Sequence, residues 1–405
     1  MGLTRKRDLR DGSAVWKAYP APKFGVARLR RSVRTEVVIV GAGISGALMA
    51  QALTDIGLRP IIIDRRSSAL LGSTAASTAM LQFELDTPLG DLRRSLGVRK
   101  ANQVWIASRQ AVNELRTRTH RLGIAAHLKT RPSLYLAGNL LDARGLANEV
   151  LLRQRIGLSS EMLNRQALRH HFNIDRQAAI LTHGNAEANP LELAAGYLRA
   201  AIRAGARLNA PHEIVDIQRN RTSTTLFTHD GIEIQARSII FCTGYELPKI
   251  VSSANTQIMA SWAIATCPQP QRLWPQKALI WEASDPYLYI RSSVDGRVIC
   301  GGEDQKVATT DQRNALTERK ARRIQHKLSQ MFPRIDSSAE FSWTGSFGIS
   351  PNGMPTIGEI PGFPKCFSVM GFGGNGITFS MLASKLIVAA IQKKTCPEAK
   401  LFAFA

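Results

Sequence analysis

Residues 36–46 read Glu36-Val37-Val38-Ile39-Val40-Gly41-Ala42-Gly43-Ile44-Ser45-Gly46, and this stretch decides the fold. A run of β-branched residues without a polar break is typical of a parallel strand buried on both faces. Gly41 permits a tight turn, Gly43 leaves room for a pyrophosphate beside the backbone, and Gly46 lets a helix pack closely on the strands. The next segment, from Ala47 to Ile56, has helical character, and the N-terminus of this helix would point its free N–H groups at the phosphates. The stretch therefore predicts a dinucleotide site.

A second strand completes this strand-helix-strand unit. Residues Arg59-Pro60-Ile61-Ile62-Ile63-Asp64 are mostly apolar and end in an acid, about twenty residues after the glycines, where a carboxylate can accept hydrogen bonds from the adenosine ribose. We expect Asp64 to bind the ribose, and Arg65 beside it to help place the adenine or a phosphate. A Gly-rich turn without a ligand would not need the terminal acid.

Composition excludes several classes of protein. The chain has 405 residues and 44% hydrophobic residues, which is ordinary for a globular protein of more than one domain. Its five Cys form no CxxC pair, so we predict neither a disulfide scaffold nor a metal site. The sequence contains no run of about 18 apolar residues that would predict a membrane span, and no secretory signal is evident. We therefore expect a cytoplasmic protein.

The formal net charge of +22 is the unusual feature of the composition. Such a charge suits a polyanionic partner. The basic residues are spread along the chain and no RNA-binding module is evident, which argues against a nucleic-acid partner. Ten Lys and Arg but only two Asp fall in residues 1–35. We interpret residues 1–34 as a basic extension that lies on the surface.

Three further segments carry small residues and hydroxyls where a backbone could approach a ligand. The first is Gly72-Ser73-Thr74-Ala75-Ala76-Ser77-Thr78, the second is Cys242-Thr243-Gly244 after a strand, and the third is Gly373-Gly374-Asn375-Gly376-Ile377 before the last helix. A second Gly-rich helix start again suits a polar ligand atom. A cofactor that touches all these segments must be long.

The chain resembles the D-amino-acid oxidase, glycine oxidase and sarcosine oxidase family of FAD-dependent oxidoreductases over roughly residues 35–395. Besides the segments above, Trp343-Thr344-Gly345 and residues 351–358, which include Pro351 and Asn352, carry the resemblance. It implies FAD, which we expect to be bound non-covalently, with its flavin edge near the last helix start. The cofactor contacts expected on this basis are Gly41, Gly43, Ile44, Ser45, Gly46, Asp64, Arg65, Ser73, Thr74, Ala75, Ser77, Val215, Thr243, Gly244, Gly373, Gly374, Asn375, Gly376 and Ile377.

The resemblance also implies an α/β fold in which a Rossmann-like FAD-binding domain is interleaved with an α+β substrate-binding domain. We assign residues 35–90, 186–250 and 341–405 to the FAD-binding domain. Residues 91–185 are predicted to be a helical insert and residues 251–340 the substrate-binding sheet. Within the FAD-binding domain, Pro190–Ala204 is an amphipathic helix by its apolar spacing.

Candidates for the substrate side come from the second domain. Tyr287, Tyr289 and Arg291 alternate along a strand and so would share one face. Trp262 is a further candidate for the same cavity. Phe347 stands near the position where amino-acid oxidases of the family place an Arg that clamps the substrate carboxylate, and Phe cannot supply a guanidinium fork. The sequence therefore favours an amine substrate over a simple α-amino acid, unless Arg291 replaces the missing Arg as the carboxylate clamp.

These observations favour an FAD-dependent oxidoreductase that oxidises a C–N bond of a small amine or amino acid by hydride transfer to flavin N5. No dedicated catalytic side chain is needed, because the cofactor carries the difficult chemistry. The electron acceptor would be O2 or another acceptor. Two alternatives remain open at this point: a flavoenzyme that acts on a modified tRNA base, and a flavin-binding subunit without turnover.

Overall fold

The structure is a computed structural model that describes residues 2–220, 222–251, 257–307, 309–350 and 353–404. Pro351 and Asn352 of the quoted motif lie outside the described residues. The strands are Arg10–Gly12 (β1), Val33–Val40 (β2), Ile61–Ile63 (β3), Met80–Leu81 (β4), Lys129–Leu136 (β5), Ser160–Asn164 (β6), Ala178–Glu187 (β7), Arg207–Asn209 (β8), Ile214–Arg219 (β9), Thr224–Thr228 (β10), Glu233–Phe241 (β11), Gln257–Thr266 (β12), Leu279–Glu282 (β13), Leu288–Ser292 (β14), Val298–Lys306 (β15), Ala339–Ile349 (β16), Thr356–Ile360 (β17) and Phe363–Met370 (β18).

Helices cover the two sheets that these strands form. The α-helices are Ile44–Asp55 (α1), Leu89–Leu96 (α2), Val98–Arg121 (α3), Ala143–Gln154 (α4), Arg165–Phe172 (α5), Pro190–Arg203 (α6), Thr310–Ala315 (α7), Thr317–Met331 (α8), Gly376–Ile391 (α9) and Ala399–Phe402 (α10). Short 3-10 helices occupy Val15–Ala18, Ser73–Ala76, Pro270–Arg272 and Pro275–Lys277. No helix among the described residues is long and apolar enough to cross a membrane.

The first sheet contains the glycine motif Gly41-Ala42-Gly43-Ile44-Ser45-Gly46 at the end of β2. Its strand order is β17-β18-β11-β2-β3-β8, with β10 and β9 continuing from β11 as a meander. Strands β18, β11, β2, β3 and β8 run parallel. The apolar end of β2 is buried, and α1 packs against α6 and α9 beside it. This arrangement is the Rossmann-like half of the predicted fold.

The second sheet is larger and mostly antiparallel. Its order is β1-β16-β12-β15-β14-β13-β5-β7-β4, and β6 pairs with β7. Its hydrophobic core lies between the sheet and α8, where Ile324 and Leu328 pack against Trp262 and Ile264. The predicted fold class, an α/β fold with a Rossmann-like half interleaved with an α+β half, is confirmed.

The chain crosses between the two halves more often than the predicted domain boundaries allow. The segment predicted as a helical insert holds helices α2 to α5, but it also gives β5, β6 and most of β7 to the second sheet. Strand β16 lies in that sheet too, although its residues fall mostly in the range assigned to the FAD-binding domain. Strand β5 was not predicted, because Arg131 and Pro132 in its first half interrupt the pattern of apolar residues typical of a strand.

Residues 3–19, which we call the N-terminal strap, are ordered against both sheets. The Leu3 N–H donates to the Ile214 carbonyl at 3.0 Å, and β1 pairs with β16 in antiparallel register. Further along, the Trp16 side chain is 4% exposed and its indole N–H donates to the Ser77 carbonyl at 2.8 Å. The strap therefore bridges the two halves of the molecule.

Candidate functional site

The turn between β2 and α1 has space only for glycine at two positions. Gly41 has φ +111°, and a Cβ there would collide with the Cys242 carbonyl. A Cβ at Gly46 would collide with the Gly41 carbonyl. Gly43 is less confined, since its Cβ would lie 3.2 Å from the Thr74 hydroxyl oxygen. The backbone at Gly43 is thus left open on the side where a pyrophosphate would approach.

Asp64 is fixed at the end of β3 by backbone groups. Its carboxylate accepts hydrogen bonds from the Ala42 N–H at 2.8 Å and the Arg66 N–H at 2.9 Å. Burial raises the pKa of Asp64, and these two hydrogen bonds oppose the rise. Arg65 and Arg66 both form ion pairs with Glu246. This end of the site can hold a ribose and has positive charge beside it.

The loop that begins with Ser73 is held on three sides. The Thr74 hydroxyl accepts from the Ile44 N–H at 3.0 Å, which ties the loop to the start of α1. The Trp343 indole N–H donates to the Ala76 carbonyl at 2.9 Å, opposite the bond that Trp16 makes to the neighbouring residue. The Ser73 hydroxyl is buried and has no hydrogen-bond partner among the described residues. A ligand atom could use that hydroxyl.

The start of α9 lies opposite the start of α1. The Ser45 and Ser380 hydroxyls are 2.7 Å apart and join the two helices. The Asn375 amide donates to the Glu84 carbonyl at 3.1 Å, and the Gly374 N–H donates to the Asp86 carboxylate at 2.7 Å. Both helix N-termini therefore point their positive ends toward the same space.

A single long cavity connects these elements. Among the expected cofactor contacts, its walls contain Gly41, Gly43, Ile44, Ser45, Asp64, Arg65, Ser73, Thr74, Ser77, Thr243, Gly244, Gly373, Gly374, Asn375, Gly376 and Ile377. Gly46, Ala75 and Val215 are not in these walls. Gly46 lies beneath the turn, and the alternation of β9 brings Ile214 rather than Val215 to the cavity.

The cavity ends in a space lined by aromatic rings and carboxylates, which we call the substrate chamber (Glu84, Asp86, Tyr245, Tyr287, Tyr289, Asp304 and Phe372). The Tyr287 hydroxyl donates to Asp304 Oδ2 at 2.9 Å, and the Tyr289 and Ser261 hydroxyls are 3.1 Å apart. Burial raises the pKa of Asp304 to about 6, and the neighbouring hydroxyls of Ser261 and Tyr287 offset part of the rise. Phe347 also lines the cavity.

Two expected substrate contacts lie outside the cavity. Trp262 is buried on the opposite face of β12, because its neighbours Ser261 and Ala263 take the cavity side. Arg291 is buried 3.8 Å from Glu187 and stacks over Trp16 at 5.4 Å. Packing under Trp16 separates Arg291 from the chamber, although it shares a strand face with Tyr289. Arg291 therefore does not replace the missing carboxylate clamp.

The chamber carboxylates and Tyr245 were not among the predicted site residues. Glu84 and Asp86 follow the hydroxyl-rich loop at alternate positions of the otherwise apolar segment Met80-Leu81-Gln82-Phe83-Glu84-Leu85-Asp86. Acids at that spacing just after a cofactor loop were a usable signal. Asp304 gave no such signal, because only the pairing of β14 with β15 brings it beside Tyr287.

A glycine turn that excludes side chains, an acid that fixes the ribose end and two helix N-termini on one long cavity define an oxidoreductase of the dinucleotide-cofactor class. Residues 36–390 match the family model described as FAD dependent oxidoreductase (DAO). The chain belongs to this family and is an FAD-dependent oxidoreductase. The glycine cradle and the unpartnered Ser73 hydroxyl fit an extended FAD.

Curated proteins and solved structures are similar to the chain over most of its length. The chain is 24% identical over 372 residues to the glycine oxidase of Geobacillus kaustophilus, covering 89% of this chain and 94% of that protein. The structure of that oxidase superposes with a TM-score of 0.73 at 20% identity, covering 90% of this chain and 96% of the other. L-proline dehydrogenase from P. horikoshii superposes with a TM-score of 0.74 at 16% identity, covering 92% and 97%.

A fourth similarity concerns a tRNA-modifying protein. The chain is 23% identical to the tRNA 5-methylaminomethyl-2-thiouridine biosynthesis bifunctional protein MnmC of Ralstonia nicotianae, over 98% of this chain and 63% of that protein. This chain therefore spans less than two thirds of that protein.

Proposed function

We propose that the protein oxidises the C–N bond of a small amine by hydride transfer to the flavin N5 of FAD. The observation that carries the proposal is the substrate chamber, which combines aromatic walls with carboxylates beside the start of α9. In the reaction the substrate C–H bond breaks, the nitrogen lone pair forms a C=N bond, and two electrons leave the substrate. FAD supplies the two-electron acceptor when bound, and O2 or another acceptor would reoxidise it.

The chain's own residues would bind and orient rather than take protons. Tyr287 and Tyr289 lie 5.8 Å apart between ring centroids and could flank the carbon chain of an amine. Arg65 and Arg66 are the Lys or Arg residues among the described cavity walls, and both pair with Glu246 at the ribose end. A substrate carboxylate would find no guanidinium in the chamber. This absence, within the described residues, favours an amine over an α-amino acid.

We propose that FAD is held without a covalent bond. Asp64 would bind the ribose, the turn at Gly43 and the Ser73 hydroxyl would face the pyrophosphate, and the Gly374–Ile377 backbone would face the flavin ring. Cys242 is the cysteine in the described cavity walls, and it lies beside Gly41 at the dinucleotide turn. Burial raises its pKa to about 12, so it stays a protonated, unreactive thiol. A cytoplasmic location stays a prediction.

A flavoenzyme acting on tRNA is the second candidate, because of the similarity to MnmC. An enzyme of that kind must admit a nucleotide base into the chamber. The acidic chamber opposes the approach of a polyanion, which places this candidate behind a small amine. The flavin-binding subunit without turnover has no specific observation in its favour.

The test is anaerobic reduction of the purified yellow protein. We expect at least one small amine from a panel of monoamines, diamines and amino acids to bleach the flavin absorbance, with colour returning on mixing with air or an artificial acceptor. Failure of every panel member to reduce the flavin would overturn the proposed function. Retention of the flavin after acid precipitation would overturn non-covalent binding.

A further inference from the structure

Two carboxylates of the substrate chamber face the same space. Asp86 and Asp304 both line the cavity, and the charge of Asp86 contributes to the raised pKa of Asp304. Asp304 Oδ2 accepts the hydrogen bond from Tyr287, whereas Oδ1 is buried and has no hydrogen-bond partner among the described residues. Asp86 Oδ2 accepts one backbone N–H, from Gly374 at 2.7 Å. Each carboxylate therefore retains capacity to accept from a ligand.

Glu84 is independent evidence that the chamber binds a ligand that donates hydrogen bonds. The residue is 2% exposed and lines the cavity. Its Oε1 accepts from Ser133 at 2.7 Å, from Asn185 at 3.1 Å and from Thr182. Its Oε2 is buried with no hydrogen-bond partner in the described part of the chain. Leaving a buried acceptor unsatisfied is costly, and an ammonium ligand would bring three N–H donors.

No described cation of the protein reaches the chamber to balance these acids. Arg313 donates to the Ser346 hydroxyl at 2.9 Å from outside the cavity walls. Arg109 interacts electrostatically with Glu84, but its guanidinium donates to the Gly184 carbonyl at 2.9 Å and lies outside the cavity walls. Lys320 is a third nearby cation, but its ammonium donates to the Glu303 carbonyl at 2.8 Å and lies 4.9 Å from the Trp262 ring, on the far side of the sheet. The charge of the chamber is thus left for a ligand to neutralise.

The remaining walls suit a cationic chain. Tyr287 and Tyr289 lie side by side, and Tyr245 meets Phe372 edge to face with ring centroids 6.2 Å apart. Aromatic faces attract ammonium groups and also bury methylene groups. Carboxylates beside such walls match a short hydrocarbon chain that carries positive charge at one end.

We propose that the substrate of this site is a short α,ω-diamine, with one ammonium group held by Asp86 and Asp304 while the other amine is oxidised. This inference rests on the proposed function. The oxidised nitrogen must be neutral, since its lone pair forms the C=N bond, so it cannot be the cation that pairs with the carboxylates. A second ammonium group on the same molecule meets both requirements.

The experiment compares four molecules of similar chemistry on the FAD-loaded protein: 1,4-diaminobutane, butylamine, 4-aminobutanoate and glycine. Binding is measured by titration calorimetry, and flavin reduction by anaerobic stopped flow. We expect 1,4-diaminobutane to bind at least about tenfold more tightly than butylamine, and 4-aminobutanoate to bind most weakly. Asp304→Asn and Asp86→Asn should each remove most of the preference for the diamine, whereas Asp336→Asn on an exposed turn should leave it unchanged.

The outcomes separate the two proposals. Equal affinity for diamine and monoamine, or tighter binding of glycine, would overturn the diamine proposal even if the flavin is reduced. Diamine binding that depends on Asp304, without flavin reduction by any amine, would support the recognition and overturn the proposed function. Because the comparison of the four ligands uses the unsubstituted protein, it decides the proposal even if a variant fails to fold.

Discussion

Gly46 and Gly43 belong to the same motif, but we expect alanine at Gly46 to impair folding and alanine at Gly43 to impair FAD binding. A Cβ at Gly46 collides with backbone, whereas a Cβ at Gly43 meets only the Thr74 side chain, at 3.2 Å. We expect Gly46→Ala to yield little folded protein. Gly43→Ala should fold but bind FAD at least about tenfold more weakly, because its methyl group occupies the path of the pyrophosphate.

Fluorescence titration of the apoprotein with FAD, together with circular dichroism of both variants, checks this prediction. Gly57→Ala is a useful reference, since no atom lies within 4 Å of the added Cβ, although its φ of +84° makes any side chain moderately strained. Normal FAD affinity in Gly43→Ala would contradict the assignment of the pyrophosphate to this turn.

Asp304 should leave a signature in the pH profile of flavin reduction. Its pKa of about 6 means that the carboxylate is charged above that pH and is progressively neutralised below it. Amine oxidation also requires a neutral nitrogen, which gives a logarithmic slope of one with pH between about 7 and 9. The quantity to plot against pH is the logarithm of the reduction rate constant divided by Kd for 1,4-diaminobutane. Below pH 6 the loss of the Asp304 charge should increase the slope of this plot by one unit.

Stopped-flow reduction from pH 5 to 9 measures this slope, and Asp304→Asn should lower it by one unit below pH 6. Asp86, Tyr287 and Lys320 also act on Asp304. Asp86 is exposed to the open cavity, and partial desolvation there raises its pKa. Further steepening that persists in Asp304→Asn is therefore assigned to Asp86. Identical slopes in the wild type and in Asp304→Asn would contradict a role for the Asp304 charge.

At the scale of elements, the N-terminal strap is predicted to help retain the cofactor. Trp16 donates its indole N–H to the Ser77 carbonyl, in the loop that we propose faces the cofactor, and Thr4 and Leu9 of the strap line the cavity. Trp16→Phe keeps most of the ring and removes the donor. Because a hydrogen bond contributes roughly 1 kcal/mol, we expect FAD affinity to fall about three- to tenfold.

Tyr19→Phe is the matched control for that measurement, since Tyr19 donates to Asp295 at 2.7 Å away from the cavity. FAD titration of both apoproteins gives the comparison. Equal FAD affinity in Trp16→Phe and the wild type would show that the strap is bound to the fold without supporting the cofactor loop.

How far the sequence predicts each element depends on whether its signals are local. Helix α6 was predicted over 190–204 and is found at Pro190–Arg203. Pro190 sits at its first turn, and the Asn189 side chain accepts from the Leu191 and Glu192 N–H groups at 3.0 and 3.3 Å. The turn after β2 and the start of α9 were found for the same reason, because glycines mark them within a few residues.

Elements and contacts that depend on distant pairing were predicted less well. Whether a side chain on a strand reaches the cavity depends on the register of the strand and on which other residues cover that side chain. Trp262 and Arg291 illustrate both cases, since one lies on the wrong face of β12 and the other is covered by Trp16. The extension at residues 1–34 was interpreted as surface, yet its strap enters the second sheet through β1.

At the scale of the whole molecule, the two ends of the cavity carry opposite charge. Beside the ribose end, a second hollow is lined by five cations and two acids: Lys6, Arg7, Arg10, Arg65 and Arg66 against Asp8 and Asp11. The opposite end holds the carboxylates of the substrate chamber. An anionic pyrophosphate and the proposed cationic amine would therefore each be attracted to a different end of the cavity.

The net charge of +22 should then produce nucleic-acid binding of a generic kind. Positive charge on the surface binds any phosphate backbone, and such binding weakens steeply with salt through counterion release. We expect tRNA and duplex DNA of similar length to shift alike on a gel at about 0.05 M KCl, and both complexes to be lost by about 0.3 M. Flavin absorbance should not change when tRNA is added anaerobically.

A preference for tRNA that persists at about 0.3 M KCl would contradict generic electrostatics and favour the tRNA-modifying alternative. Lys6→Glu together with Arg10→Glu sharpens the comparison, because both residues line the basic hollow while neither lines the main cavity. If the charge acts generically, the double variant should weaken tRNA and DNA binding by the same factor. With FAD at saturating concentration, reduction by 1,4-diaminobutane should be unchanged, since the chamber that would hold the diamine lies at the other end of the cavity.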